Sequence, residues 1–321
     1  MSTADQGPDD KRTSDDAGAT STTRGRGALA LKWAFLTLGA IGLAIALRSS
    51  WSRAGDVTLP GLGALVVSGT LSAAGIAALG ALWLLTLGIH RHRAALLRSF
   101  YLSQLGKYIP GGVWQPLGQI GLAIGHDVPA RRAWSRFIGF SVMLVVGSGL
   151  AAAPLVVAPG VSGWARVAGA LASLTLLTTL PPATHLVETT LSRVARRQVD
   201  ELLPAVGRPL LVGVAVAAMF IYSVGFALLL VTTTDVTPVA ASSAFALAWL
   251  VGYLALPVPA GLGIREAVLV AVLSPHVDAG EVLAAAVAYR LVSIAGEGIL
   301  CVLASAWVTV LRGRRDTARL E

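Results

Sequence analysis

Two segments of this chain place proline, glycine and charge inside runs that are otherwise apolar. The first is Gln104-Leu105-Gly106-Lys107-Tyr108-Ile109-Pro110-Gly111-Gly112-Val113-Trp114-Gln115. The second is Leu256-Pro257-Val258-Pro259-Ala260-Gly261-Leu262-Gly263-Ile264-Arg265-Glu266. Hydrocarbon cannot satisfy the backbone groups that such a break frees, so each break must face protein or a water-filled cavity. Gly/Pro-interrupted segments at comparable places in two halves of a membrane chain point to a transporter's substrate site. The two breaks therefore constrain fold and function together.

Composition sets the class. Hydrophobic residues make up 55% of the 321 residues and charged residues only 13%, whereas an average soluble domain is about 25% charged. The formal net charge of +8 sits in loops between apolar runs, where it sets membrane orientation rather than nucleic-acid binding. The single cysteine, Cys301, lies inside an apolar run and offers neither a disulfide nor a metal site. His90 and His92 flank a basic loop, and His126, His185 and His276 stand alone. No Walker loop, dinucleotide fingerprint or nucleophile–base set is present. The chain reads as a non-enzyme without metal or cofactor.

Residues 1–27 are Ser, Thr, Asp and Gly rich and read as a solvated tail. Residues 28–311 read as one membrane domain, and 312–321 as a short basic tail. Within the domain, apolar runs lie near 28–47, 62–89, 133–157, 164–180, 209–232, 240–256 and 282–311. The short run 264–274 crosses only if the preceding break completes it. The expected fold is an all-α polytopic helix bundle of about eight crossings, with a re-entrant or interfacial element at 100–125.

Basic residues cluster on alternate loops. Arg91, Arg93, Arg98, Lys107, Arg131 and Arg132 follow the second run, and Arg193, Arg196, Arg197 and Arg208 follow the fourth. The positive-inside rule then puts both termini in the cytoplasm, in the plasma membrane, and makes residues 100–125 leave and return on one side. The basic loops and the Pro-Gly-Gly break agree on that.

Several residues at and near the breaks carry potential chemistry. Pro257 and Pro259 stop one helix, and Gly261 and Gly263 free the backbone to turn before a new helix near Ile264. Arg265 and Glu266 fall in its first turn, where N–H groups and the guanidinium fork suit a phosphate. The alternative is an Arg265 that snorkels to the surface beside a capping Glu266. Arg290 and Glu297 stand seven residues apart inside the last apolar run, too far for an easy mutual pair. Glu266 for Arg290 and Arg265 for Glu297 are the expected partners, either as a site or as packing ion pairs. Lys107, Tyr108 and Trp114 flank Pro110, Gly111 and Gly112 among Gln104, Gln115 and Gln119. They suit a polar head group, or alternatively an interfacial helix on anionic lipid.

These same residues resemble the two signature regions of the lysylphosphatidylglycerol synthase transmembrane-region family, a flippase-like membrane domain. The resemblance rests on Lys107–Gly112 and on Pro257–Glu266 followed by an Ala-rich helix with Arg290. It covers about 100–136 and 249–298, and it implies a helical body that binds phospholipid or polyprenyl-linked head groups and moves them between leaflets. The family's soluble aminoacyl-transfer domain has no counterpart in this sequence. The expected partner is a lipid with an anionic or phosphate head group. Two alternatives stand beside translocation: a membrane scaffold for a glycosyltransferase or other lipid-modifying enzyme, and a lipid-modifying enzyme itself.

Overall fold

The computed structural model describes residues 60–89, 92–108, 113–195, 200–204, 207–255, 261–275 and 277–317. The expected run at 28–47 and both tails' outer residues lie outside them. Every regular element among the described residues is helical. In chain order these are α1 (Leu62–Leu87), α2 (Arg93–Gln104), α3 (Trp114–Ile124), α4 (Ala130–Ala152) and α5 (Gly163–Ser173). They continue as α6 (Pro181–Ala195), α7 (Arg208–Val231), α8 (Pro238–Leu254), α9 (Ile264–Leu273) and α10 (Ala279–Thr317).

Four of these are long and apolar enough to cross a membrane: α1, α4 with its continuation to Val156, α7, and α10 as far as Leu311. Their outer faces keep large apolar side chains exposed, among them Val66, Val67, Phe220, Val302 and Leu303. Such faces suit hydrocarbon rather than water, and the protein is membrane-embedded.

The expectation of about eight crossings is not reached among the described residues. The run at 164–180 forms α5 and a 3-10 stretch, Leu174–Thr179, which then bends by 75° into α6. Sequence reading took the segment after 180 for a basic loop; it is helical through Ala195. Pro181 and Pro182 explain both outcomes, because proline ends one helix and is well placed to begin the next. Counted as one bent span, the pair raises the total to five. Helix α8 has 17 residues, about 25 Å of rise and short of a 30 Å core.

Helix α7 occupies the centre of the bundle and packs on α1, α4, α8 and α10. Small residues allow the approach, as membrane helices require when lipid removes the hydrophobic drive between them. Gly75 leaves no room for a side chain beside Tyr222, whose Cβ would lie 2.9 Å from an added Cβ. The Ser68 hydroxyl donates to the Gly225 carbonyl at 2.7 Å, and Ser72 donates to Ser293 at 2.8 Å. These buried hydroxyls join α1 to α7 and α10.

Helices α2 and α3 have 12 and 11 residues, each about 17 Å long and unable to cross. Gly118 faces Ser103, and Gly106 faces the backbone of Trp114 and Gln115. Rising numbers on one helix meet falling numbers on the other, so the two run antiparallel. Residues 93–108 and 113–124 thus form a helical hairpin, where the sequence reading expects a re-entrant or interfacial element at 100–125. Arg131, at the start of α4, pairs with Asp200, which brings two of the basic loops to one end.

Single-cysteine labelling checks the hairpin. In a Cys301→Ser background, Arg93→Cys and Ala130→Cys should react from the same face of sealed vesicles. Labelling from opposite faces would make the hairpin a crossing.

Candidate binding site at the two breaks

The tip of the first hairpin approaches the start of α9, and both meet α10. Lys107, in the 3-10 turn Leu105–Tyr108, forms an ion pair with Glu297 of α10. The Tyr108 hydroxyl donates to the other oxygen of the same carboxylate at 3.1 Å. Glu297 is 1% exposed, so a carboxylate at that depth is tolerable only because a cation and a hydroxyl meet it.

Two turns earlier in α10, Arg290 meets Glu266 at 3.1 Å. The second oxygen of Glu266 accepts the Gly263 N–H at 2.8 Å. Glu266 therefore caps α9 and anchors it to α10 with one side chain. Gly263, at φ +79°, supplies the turn into the helix, a conformation L-residues rarely adopt.

The expected pairing of Glu266 with Arg290 is present, and that of Arg265 with Glu297 is not. Glu297 takes Lys107 from the other broken segment instead. Arg265 points away from α10 toward α8, where its guanidinium lies 5.3 Å from the Trp249 ring centroid. Trp249 in turn stacks on Tyr253 at 5.0 Å. Gly252 and Gly261 make room for this side chain: a Cβ on either would come within 2.9 Å of the Arg265 Nε. Arg265 forms no ion pair among the described residues, and its buried Nε has no hydrogen-bond partner.

Arg265 and Lys107 line a cavity of about 260 Å³. One wall carries Gln104, Gln115 and Gln119 of the first hairpin, and the opposite wall carries Trp249, Tyr253 and Gly261. Phe100, Phe137 and Phe140 close the apolar part. Among the described residues no carboxylate lines it. A second cavity of about 30 Å³ lies behind Arg265 and holds the Glu266–Arg290 pair with Tyr108, Tyr289 and Ser293. The larger cavity presents one cation on an aromatic face, a second cation already neutralised by Glu297, and a row of amides. That arrangement can hold an anion of limited size beside a neutral polar group.

Of the residues singled out in the sequence, Gln104, Lys107, Gln115, Gln119, Gly261 and Arg265 line the larger cavity. Tyr108, Glu266 and Arg290 line the smaller one, and Glu297 lies behind Lys107. Trp114 opens α3 and Gly263 caps α9, and neither lines a described cavity. Pro110, Gly111, Gly112, Pro257 and Pro259 lie outside the described residues. Sequence reasoning missed Trp249, Gly252 and Tyr253. Their signal was the i, i+4 aromatic spacing that puts Trp249 and Tyr253 on one helix face. No protein-family model matches the chain, and no curated protein matches it in sequence.

Proposed function

We propose that the protein binds the phosphate-bearing head group of a membrane lipid in the cavity beside Arg265 and moves that lipid between leaflets. The observation that carries the reading is the state of Arg265. A buried guanidinium is costly unless an anion meets it, and among the described residues every side chain lining the larger cavity is neutral or cationic. A phosphate supplies the missing charge and accepts from the planar fork. The cavity falls below the roughly 300–1,000 Å³ of drug-sized pockets, so it suits a head group whose acyl or polyprenyl tails stay in the bilayer.

The α2–α3 hairpin and helix α9 flank the cavity and supply the moving parts. Helix α10 holds the first through Lys107–Glu297 and the second through Glu266–Arg290, so displacement of one is felt by the other. The resemblance to the lysylphosphatidylglycerol synthase transmembrane region supports the same reading. About eight crossings with both termini in the cytoplasm of a plasma-membrane protein complete it.

Reconstitution of the full chain into liposomes with labelled lipids is the test. Anionic phospholipid should equilibrate between leaflets faster than in protein-free vesicles, and phosphatidylcholine should not. Binding without exchange would make the protein a lipid-binding scaffold, and neither binding nor exchange would remove the proposal.

Gly252→Ala checks the geometry. The new Cβ would lie 2.6 Å from the Arg265 Cγ, forcing the guanidinium off the Trp249 face. Anionic-lipid affinity should fall about tenfold, since displacements near 1 Å at a site carry costs of that order or more. Unchanged affinity would mean that the position of Arg265 does not matter.

A further inference from the structure

A single carboxylate holds the tip of the α2–α3 hairpin. No residue of the 3-10 turn Leu105–Tyr108 is buried, so little apolar packing fixes the tip in place. Its ammonium and its hydroxyl, from Lys107 and Tyr108, both go to Glu297 of α10. Glu297 is 1% exposed and lines neither cavity, whereas Lys107 lines both. Lys107 thus stands between the buried carboxylate and the open space in front of it.

We propose that Glu297 is a proton-binding site coupled to opening of the α2–α3 hairpin. The carboxylate stays ionised while Lys107 and Tyr108 meet it, and it takes a proton from water when the tip swings away. Opening is independent of which ligand enters the cavity. The depth of Glu297 is the reason. Once the tip leaves, the carboxylate remains in an apolar site with neither cation nor hydroxyl, and its ionised form is far costlier there than its neutral form. In the closed state ammonium and carboxylate neutralise each other. In the open state the ammonium is solvated, the acid is neutral, and one proton has come from water. The open state therefore holds one proton more, and each unit of falling pH multiplies the open-to-closed ratio about tenfold. A proton reaches Glu297 only after Lys107 has moved, which ties the two events together.

Among the described residues, the other groups around Glu297 do not reproduce this behaviour. On α10 itself stand Tyr289, Arg290 and Cys301. The hairpin brings Tyr101, Lys107 and Tyr108, α7 brings Tyr222, and α9 brings Arg265 and Glu266. Helix α1, whose Ala73 faces Gly296, has no titratable side chain. Between pH 5 and 8 lysine and arginine ordinarily stay charged, and tyrosine and cysteine stay largely neutral. Glu266 is the second carboxylate, yet it is held by Arg290 and the Gly263 N–H. Neither belongs to the hairpin, so protonating Glu266 would loosen α9 and leave the tip on α10.

The test uses the full chain in phosphatidylcholine nanodiscs without anionic lipid, so its outcome is separate from head-group binding. Nitroxides are placed on Leu105→Cys in the turn and Ile299→Cys on α10, both exposed positions, in a Cys301→Ser background. Pulsed electron paramagnetic resonance then reads the distance from tip to helix in samples frozen at pH 8, 7, 6 and 5. A second, longer distance should grow as pH falls, its ratio to the shorter one rising about tenfold per pH unit. Glu297→Gln, a fixed neutral mimic of the protonated acid, should show mainly the longer distance at every pH. Glu266→Gln should keep the pH response. One unchanged distance from pH 8 to pH 5 without either glutamate substitution would overturn the proposal. So would a pH response that survives in Glu297→Gln or disappears in Glu266→Gln. The pH series with both glutamates intact decides the matter even if Glu297→Gln does not fold.

Discussion

Glu297→Gln should destabilise the protein by about 3 kcal/mol, as removal of one partner from a buried ion pair does. Glu297 is 1% exposed, and it accepts from both Lys107 and Tyr108. The neutral amide cannot balance Lys107, whose side chain is 22% exposed and reaches little water. That residual exposure is why the lower end of the 3–5 kcal/mol range applies. Thermal unfolding in detergent reads the loss. Glu281→Gln, in the first turn of α10, should change stability by less than about 0.5 kcal/mol. Adding Lys107→Met to Glu297→Gln should recover part of the deficit, because the uncompensated cation is gone. Equal midpoints for Glu297→Gln and wild type would show that the ion pair does not hold the first hairpin on α10.

Arg265→Gln should behave in the opposite way. No carboxylate among the described residues loses its partner, and only the contact with Trp249 disappears, worth about 0.5–2 kcal/mol. Removing a buried cation without an ion-pair partner offsets that loss, so stability should stay level or rise. Affinity for an anionic lipid should fall about 10-fold to 100-fold, the worth of charge-assisted hydrogen bonds to a phosphate. Arg265→Lys should lie between, keeping the charge without the bidentate fork. Loss of stability with unchanged lipid affinity would make Arg265 a packing residue.

The contrast between these two charges shows what the sequence could and could not convey. The turn into α9, the capping role of Glu266 and its pairing with Arg290 were all legible. Each depends on local rules: Gly before a helix start, a carboxylate in the first turn, and an intramembrane cation needing an anion. The loop charges and the Pro-Gly-Gly break pointed to an element that turns back within 100–125, and α2 and α3 pack there as an antiparallel pair. The partner of Glu297 was not, because both candidate cations flank breaks and only packing against α10 distinguishes them. Helix α6 was hidden for a different reason. Its polar, Thr-rich and basic sequence carries no membrane signal, and its direction depends on the bend after Thr179. The opposite wall of the cavity escaped because Trp249, Gly252 and Tyr253 sit in a run so uniformly apolar that no polar face marks them.

The central claim is that a lipid phosphate completes the cavity at Arg265. Cryo-electron microscopy of the full chain in nanodiscs rich in phosphatidylglycerol tests it most directly. The account predicts head-group density between the Gln119 wall and Trp249, with a phosphate oxygen about 3 Å from the Arg265 guanidinium. A cavity filled by an acyl chain, or by side chains from residues 256–260 with ordered lipid phosphate only at the outer surface, would contradict it.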